Sequence, residues 1–159
     1  MSNPAVGNAV GLYSQALTVT ASSAYATGNV VGQLCAIAAS TRPYEVSGLI
    51  QSVQLASASA QTSQLFDVIF FNANPVNSVF VDKTALAIAA ADVKKIVGII
   101  HCTDVTSTGP GTSAQALQCA LPFNLGTSGQ TLYAVVVSRG TPTFTASTDL
   151  SLYVGIYQD

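Results

Sequence analysis

The sequence predicts an all-β chain built as a sandwich or barrel, and three observations predict it. About eight or nine short β-prone runs recur with turn signals at roughly 8–15-residue spacing. Residues 150–157 alternate cleanly, with Leu150, Leu152, Val154 and Ile156 on one side and Ser151, Tyr153, Gly155 and Tyr157 on the other. Helical signals are confined to two short pieces, 83–87 and 89–95, too little for an α/β fold.

Residues 1–16 are rich in Ala, Gly and Asn, with Pro4 and scattered Val6, Val10, Leu12 and Tyr13. They read as an extended N-terminal arm ahead of a single domain over 17–159. Such an arm frays unless something outside its own core holds it. Residues 17–20 are briefly β-prone, 22–29 form a loop, and 30–37 form a strand with Leu34 and Ile37 inward. After a turn at 38–43, a second strand covers 46–55, where Gly48 gives room for close approach or a bulge. A Ser/Ala/Gln loop at 56–63 leads into the run Leu65-Phe66-Asp67-Val68-Ile69-Phe70-Phe71. A run this apolar belongs where both faces are buried, in a sheet centre or against another subunit.

Pro75 and its Asn neighbours turn the chain at 72–77, and 79–81 is short and extended. Asp82 is placed to cap a helical turn at 83–87 by accepting from the next exposed backbone amides. Residues 89–95 are the best helix candidate, with Asp92 as a further cap and Lys94 and Lys95 near the negative end of the helix dipole. A strand at 96–102 follows, then a loop at 103–113 holding Gly109-Pro110-Gly111. Residues 114–123 are extended, with Leu117, Cys119 and Leu121 on one face. A turn at 124–130, a strongly apolar strand at 132–137, a turn at 139–142 and a short piece at 144–146 complete the chain before its last strand. The runs at 65–71 and 132–137 are expected in the core. Glycine follows valine at Val31-Gly32, Val97-Gly98 and Val154-Gly155, which reads as bulges or close sheet approach. The face bearing Tyr153 and Tyr157 carries no charge and suits an interface as well as solvent.

Composition narrows function. Apolar residues make up 49% of the chain and charged residues 8%, against an ordinary charged share of about 25%. The exposed surface must then be Ser, Thr, Asn, Gln, Gly and Ala, which lose less than charges do on leaving water. A near-neutral surface of this kind promotes association. Net charge is −2, and Arg42, Lys83 and Arg139 are isolated while Lys94-Lys95 is a lone pair. Phosphate neutralisation needs a basic cluster, so no nucleic acid is expected. Apolar runs such as 85–91 fall far short of the roughly 20 residues of a membrane span, and no membrane is expected. No Lys or Arg precedes a long apolar core near the N-terminus, so no secretory leader is expected. Cys35, Cys102 and Cys119 are odd in number, widely spaced and set among apolar residues. They read as buried small hydrophobes in a reducing compartment, not as a disulfide framework or zinc site.

The same residues do not assemble a reaction centre in the sequence. His101 is the single histidine; Cys102 and Asp104 are near in sequence, but adjacent strand residues point to opposite faces. Asp67, Asp82, Asp92, Asp104 and Asp149 lack metal-loop spacing, and Asp149 reads as a turn residue. No glycine cluster joins a strand to a helix as phosphate-binding loops do. No catalytic, cofactor-binding or metal-ligating residue is assigned, and the chain is read as non-enzymatic. Asp67 needs a partner within its aromatic run, with Arg42, Arg139 or backbone amides as candidates; the other account is an outward-facing residue of an edge strand.

The segment Tyr25-Ala26-Thr27-Gly28-Asn29-Val30-Val31-Gly32 resembles the opening of the capsid decoration proteins of tailed bacteriophages, also called cement or auxiliary head proteins. The likeness continues through Ser47-Gly48, Asp67-Val68-Ile69-Phe70-Phe71-Asn72-Ala73-Asn74-Pro75, Phe80-Val81-Asp82, 91–98 and 133–137. Positions 1–16 carry no matching motif. The resemblance implies an antiparallel β-sandwich, jelly-roll-like, often trimeric, with no enzymatic activity and no cofactor. It implies the major capsid protein and further copies of the chain as partners, and the outer capsid surface of a virion as location, after synthesis in the host cytoplasm. A phage tail or fibre component, or another repetitive β surface subunit, is the alternative. A sugar-binding jelly roll is disfavoured, because such sites lean on exposed aromatics and the chain has no Trp.

Overall fold

The structure is a computed structural model, and it describes residues 9–38, 40–41, 46–61, 64–126 and 131–158. Among these, nine strands and one helical turn follow in order: β1 (Ala9–Leu17), β2 (Val30–Ile37), β3 (Ser47–Ser57), β4 (Phe66–Phe71), α1 (Ala90–Val93), β5 (Ile96–Cys102), β6 (Asp104–Ser107), β7 (Thr112–Asn124), β8 (Leu132–Ser138) and β9 (Leu150–Gln158). They form two antiparallel sheets, ordered β1-β9-β3-β7-β6 and β2-β8-β4-β5. This is the antiparallel sandwich that the alternating runs predict. The pairs β1·β9, β2·β8, β3·β7 and β4·β5 are nested, as in one long hairpin rolled into two sheets.

Burial explains the order. The two most apolar runs, β4 and β8, pair directly and form the centre of the four-stranded sheet. Every residue of β4 is buried. Phe66, Val68 and Phe70 enter the main core between the sheets, where they meet Val53, Leu55, Leu152 and Val154. Ile69 and Phe71 point the other way, into a second cluster with Val30, Val135 and Val137. That outer face is dry because the excursion over residues 72–95 folds back on it, laying Phe80, Leu86 and Ile88 on the cluster. The Phe80 ring lies 6.0 Å from that of Phe71, centroid to centroid.

The last strand keeps its predicted alternation: Leu150, Leu152, Val154 and Ile156 are all in the core. The three Val-Gly steps fall at irregularities, as expected. Gly32 has φ +77° inside the β2 bulge between Val31 and Cys35, and Gly98 and Gly155 sit beside the register shifts at Phe70/Phe71 and Ile50/Ser52. Gly48 is a close approach, since an added Cβ would stand 2.8 Å from the Tyr157 carbonyl oxygen. Leu34 and Ile37 were both expected inward, but residues three apart on a strand point to opposite faces: Ile37 joins the main core and Leu34 the second cluster.

Several expectations are corrected. From Ala9 onward the segment read as an arm is strand β1, paired along its whole length with β9; residues 1–8 lie outside the described residues. Residues 83–87 are not helical, and the 89–95 signal yields a single turn, α1, because a short Ala-rich piece cannot sustain more without an apolar face to bury. The loop expected at 103–113 contains β6, which pairs with β7. Leu117 does not share a face with Cys119 and Leu121. Three β7 residues, 118–120, stand against Gln51 alone, and Gln118 and Ala120 take φ values of +56° and +47°. The period of two breaks there, leaving Leu117 exposed.

Candidate functional site: an uncovered, uncharged sheet face

The two sheets are treated unequally. The outer face of the four-stranded sheet is covered by the 72–95 excursion. Nothing among the described residues covers the outer face of the five-stranded sheet. Its strand register builds four rows across that face. One runs Val10–Tyr157–Leu49–Pro122 and the next Leu12–Gly155–Ser52–Leu117. The third runs Ser14–Tyr153–Gln54–Gln115–Asp104 and the fourth Ala16–Ser151–Ala56–Ser113–Thr106. The first two rows are mainly apolar, with Leu12 72% and Leu117 62% exposed. The last two are neutral and polar, and Asp104 at the far edge is the one acid or base in all four. Gly155 keeps the middle low: the Ser52 hydroxyl occupies the space where its Cβ would be, 2.5 Å away. The β9 part of this face, Ser151, Tyr153, Gly155 and Tyr157, was legible in the sequence. Val10, Leu12, Leu49 and Leu117 were not, because their rows join strands distant in sequence.

Asp67 lies on the other sheet, on the same face as Ile69 and Phe71, and is 4% exposed. It is not on an edge: β4 runs between β8 and β5. Arg139, just after β8, donates from Nε to its Oδ2 at 2.5 Å, and His101, directly opposite on β5, places Nδ1 2.5 Å from Oδ1. The carboxylate is thus held by two more exposed partners within its own chain. Arg42, the other candidate, lies outside the described residues. Cys102 points into the main core, away from His101, so the two do not form a nucleophile pair.

Asp82 and Asp92 are not helix caps. Asp82 accepts from the backbone N–H of Thr20 (2.9 Å) and of Gly32 (2.6 Å), from the Thr20 hydroxyl (2.7 Å) and from the Tyr25 phenol (2.8 Å). It ties the excursion to the loop before β2, and burial together with Asp82 pushes the Tyr25 phenol up. Asp92, fully buried within α1, accepts from the Asn77 backbone N–H, the Ser78 hydroxyl and Lys95 Nζ. Burial works to raise its carboxyl, but these hydrogen bonds outweigh it and hold the group at about 2. Both acids satisfy folded-back loops instead of helix ends, because α1 is too short to offer a row of open amides. Asp149 is the turn residue expected, accepting from the backbone N–H groups of Thr145 and Ala146.

Cys35 and Cys102 are buried free thiols, each pushed up to about 12 by burial, and Cys119 is half-buried with its thiol also raised. Among the described residues, no group of three His, Cys, Asp or Glu side chains is placed to hold a metal, and no helix is long and apolar enough to cross a membrane. A cleft of about 120 Å³ opens between the sheets beside Gly11, Tyr13, Ile37 and Ile156. It is smaller than the roughly 300 Å³ at which small-molecule sites begin.

No protein-family model matches the sequence, and no curated protein matches it. Among solved structures, a chain from the X-ray structure of tomato aspermy virus is similar at 12% identity, over 99% of this chain and 80% of that one. The two superpose with a TM-score of 0.37.

Proposed function

We propose that this chain is a non-enzymatic structural subunit of a bacteriophage virion, which decorates the capsid and stabilises it by bridging capsomers from outside. The observation that carries the reading is the outer face of the five-stranded sheet: broad, partly apolar, almost free of charge and uncovered. An exposed surface of this kind marks a contact with another macromolecule. Bridging needs a second contact elsewhere, and the excursion on the opposite side of the sandwich turns Val76, Val79, Val81 and Val93 outward. The nested strand pairs support the jelly-roll reading, and capsid domains are among the proteins built that way. The resemblance through 25–32, 67–75 and 91–98 adds to this reading, with the major capsid protein and further copies of the chain as partners.

The cations support the absence of nucleic acid among the partners. Lys83 donates to Ser23, Lys95 to Asp92 and Asn74, and Arg139 to Asp67, so three of the five are engaged within the fold.

The test is binding of the purified chain to capsid shells of a phage encoding it, prepared without it, with shell melting as second readout. Wild type is expected to bind in saturable array and raise the shell melting temperature. Leu117→Asp with Tyr157→Asp, which place charge on the exposed rows, are expected to abolish both while the isolated chain keeps its melting point. Wild type that leaves shells bare, or a double variant that binds as well as wild type, overturns the reading. Labelled protein found along the tail replaces it with a tail or fibre role.

A further inference from the structure

A two-sheet sandwich has four edge strands, each a row of open backbone groups that invites pairing with another chain. Three of the four are blunted here. β2 is capped by the excursion: Val30 N–H donates to Thr84 O, Lys83 N–H to Val30 O and Gly32 N–H to the Asp82 carboxylate. β5 is irregular where Val97 is bulged out, and Leu121 of β7 closes on its Gly98. β6 is four residues long and begins with Asp104. The fourth edge, β1, is nine residues long, contains no charge and no proline, and keeps an unbroken register with β9.

The open side of β1 can be located. Gln33 donates from Nε2 to Ala16 O (3.3 Å) and accepts at Oε1 from Thr18 N–H (3.0 Å). The backbone groups of these even-numbered residues therefore face away from β9. Both groups of a strand residue point to the same side and the side alternates along an antiparallel strand. Val10, Leu12 and Ser14 thus present their N–H and C=O on that same side, and nothing among the described residues accepts or donates there. Gln33 closes the edge at its C-terminal end.

We infer that β1 is a strand-addition site for β1 of a second copy of this chain, paired antiparallel about a two-fold axis at Leu12. The open residues are symmetric about Leu12, so the edge is its own complement: Leu12 faces Leu12 of the other copy, and Val10 faces its Ser14. Each such pair exchanges two bonds, for about six across the axis. A strand without charge meets its own copy with no like-charge opposition and offers a charged partner nothing to select it. The contact is isologous and closes on itself. It joins the two five-stranded sheets into one and makes their outer faces continuous, the Leu12 side chains side by side. The inference is independent of what that outer face binds.

The experiment uses the purified full chain alone, with sedimentation velocity and amide hydrogen exchange over a range of concentrations. The expected result is a concentration-dependent doubling of the species, with the Val10, Leu12 and Ser14 amides gaining protection in step. Leu12→Pro removes an N–H that makes no bond to β9. It should abolish the doubling and the protection at Val10 and Ser14 while leaving the β-sheet circular dichroism unchanged. Ser14→Lys, which retains every backbone N–H, should weaken the association by about tenfold or more, and it decides the matter if Leu12→Pro does not fold. The inference is overturned if wild type gains no protection at these amides up to the highest soluble concentration. It is equally overturned if both variants associate as wild type does, or if the amides become protected only when another polypeptide is added.

Discussion

Asp67 and Arg139, 72 positions apart, meet at 2.5 Å at one end of the four-stranded sheet. The carboxylate is nearly buried between β8 and β5, and the guanidinium covers it from the turn after β8. A buried carboxylate loses its hydration, so it is stable in the charged form only while its partners remain. Arg139→Ala should therefore destabilise the fold by about 1–3 kcal/mol, read as a shift in the urea midpoint. Asp67→Asn added to Arg139→Ala should recover part of that loss, because the amide carries no charge. A double variant no more stable than Arg139→Ala would show that the pair contributes little.

Asp92 makes stability depend on acid. Its carboxyl is held at about 2 in the fold, below the ordinary 3.8, so the folded state favours the ionised form. That contribution is fully present above about pH 4 and is lost as pH falls through the interval toward 2. Asp149, also held low, adds a loss of the same sign. Thermal melts at pH 5, 3.5 and 2.5 should show wild type losing more stability than Asp92→Asn over that range. Parallel losses in the two proteins would remove Asp92 from the account.

Gly48 marks a point where β3 and β9 leave no room for a side chain. A Cβ there would stand 2.7 Å from Phe123 Cζ and 2.8 Å from the Tyr157 carbonyl oxygen. The ring can shift, but the carbonyl belongs to the ladder. Gly48→Ala should cost about 1–3 kcal/mol in a urea titration, as overpacking does. An unchanged midpoint would mean that the strands separate there at no cost.

The sequence by itself determined the class of fold and most of the strands. Val30–Ile37 and Ile96–Cys102 were legible to the residue, and the period of two in 150–157 predicted which side chains reach the core. Local chemistry suffices for that, since β-propensity and alternation act over a few neighbours. The low charge also foretold a neutral surface. Tertiary structure decided the rest, because it depends on which strands become neighbours. Nothing local to Val10, Leu49 and Pro122 shows that they share a row with Tyr157. Nothing near Asp82 shows that its partners are Thr20, Tyr25 and Gly32. The dryness of β4 on both sides follows from the 72–95 excursion folding back over it, and that excursion also makes Asp92 a loop anchor. The segment at 9–17 shows the division most clearly. Its composition is that of a loose arm, yet β9 offers a full antiparallel ladder and turns it into the edge of a sheet.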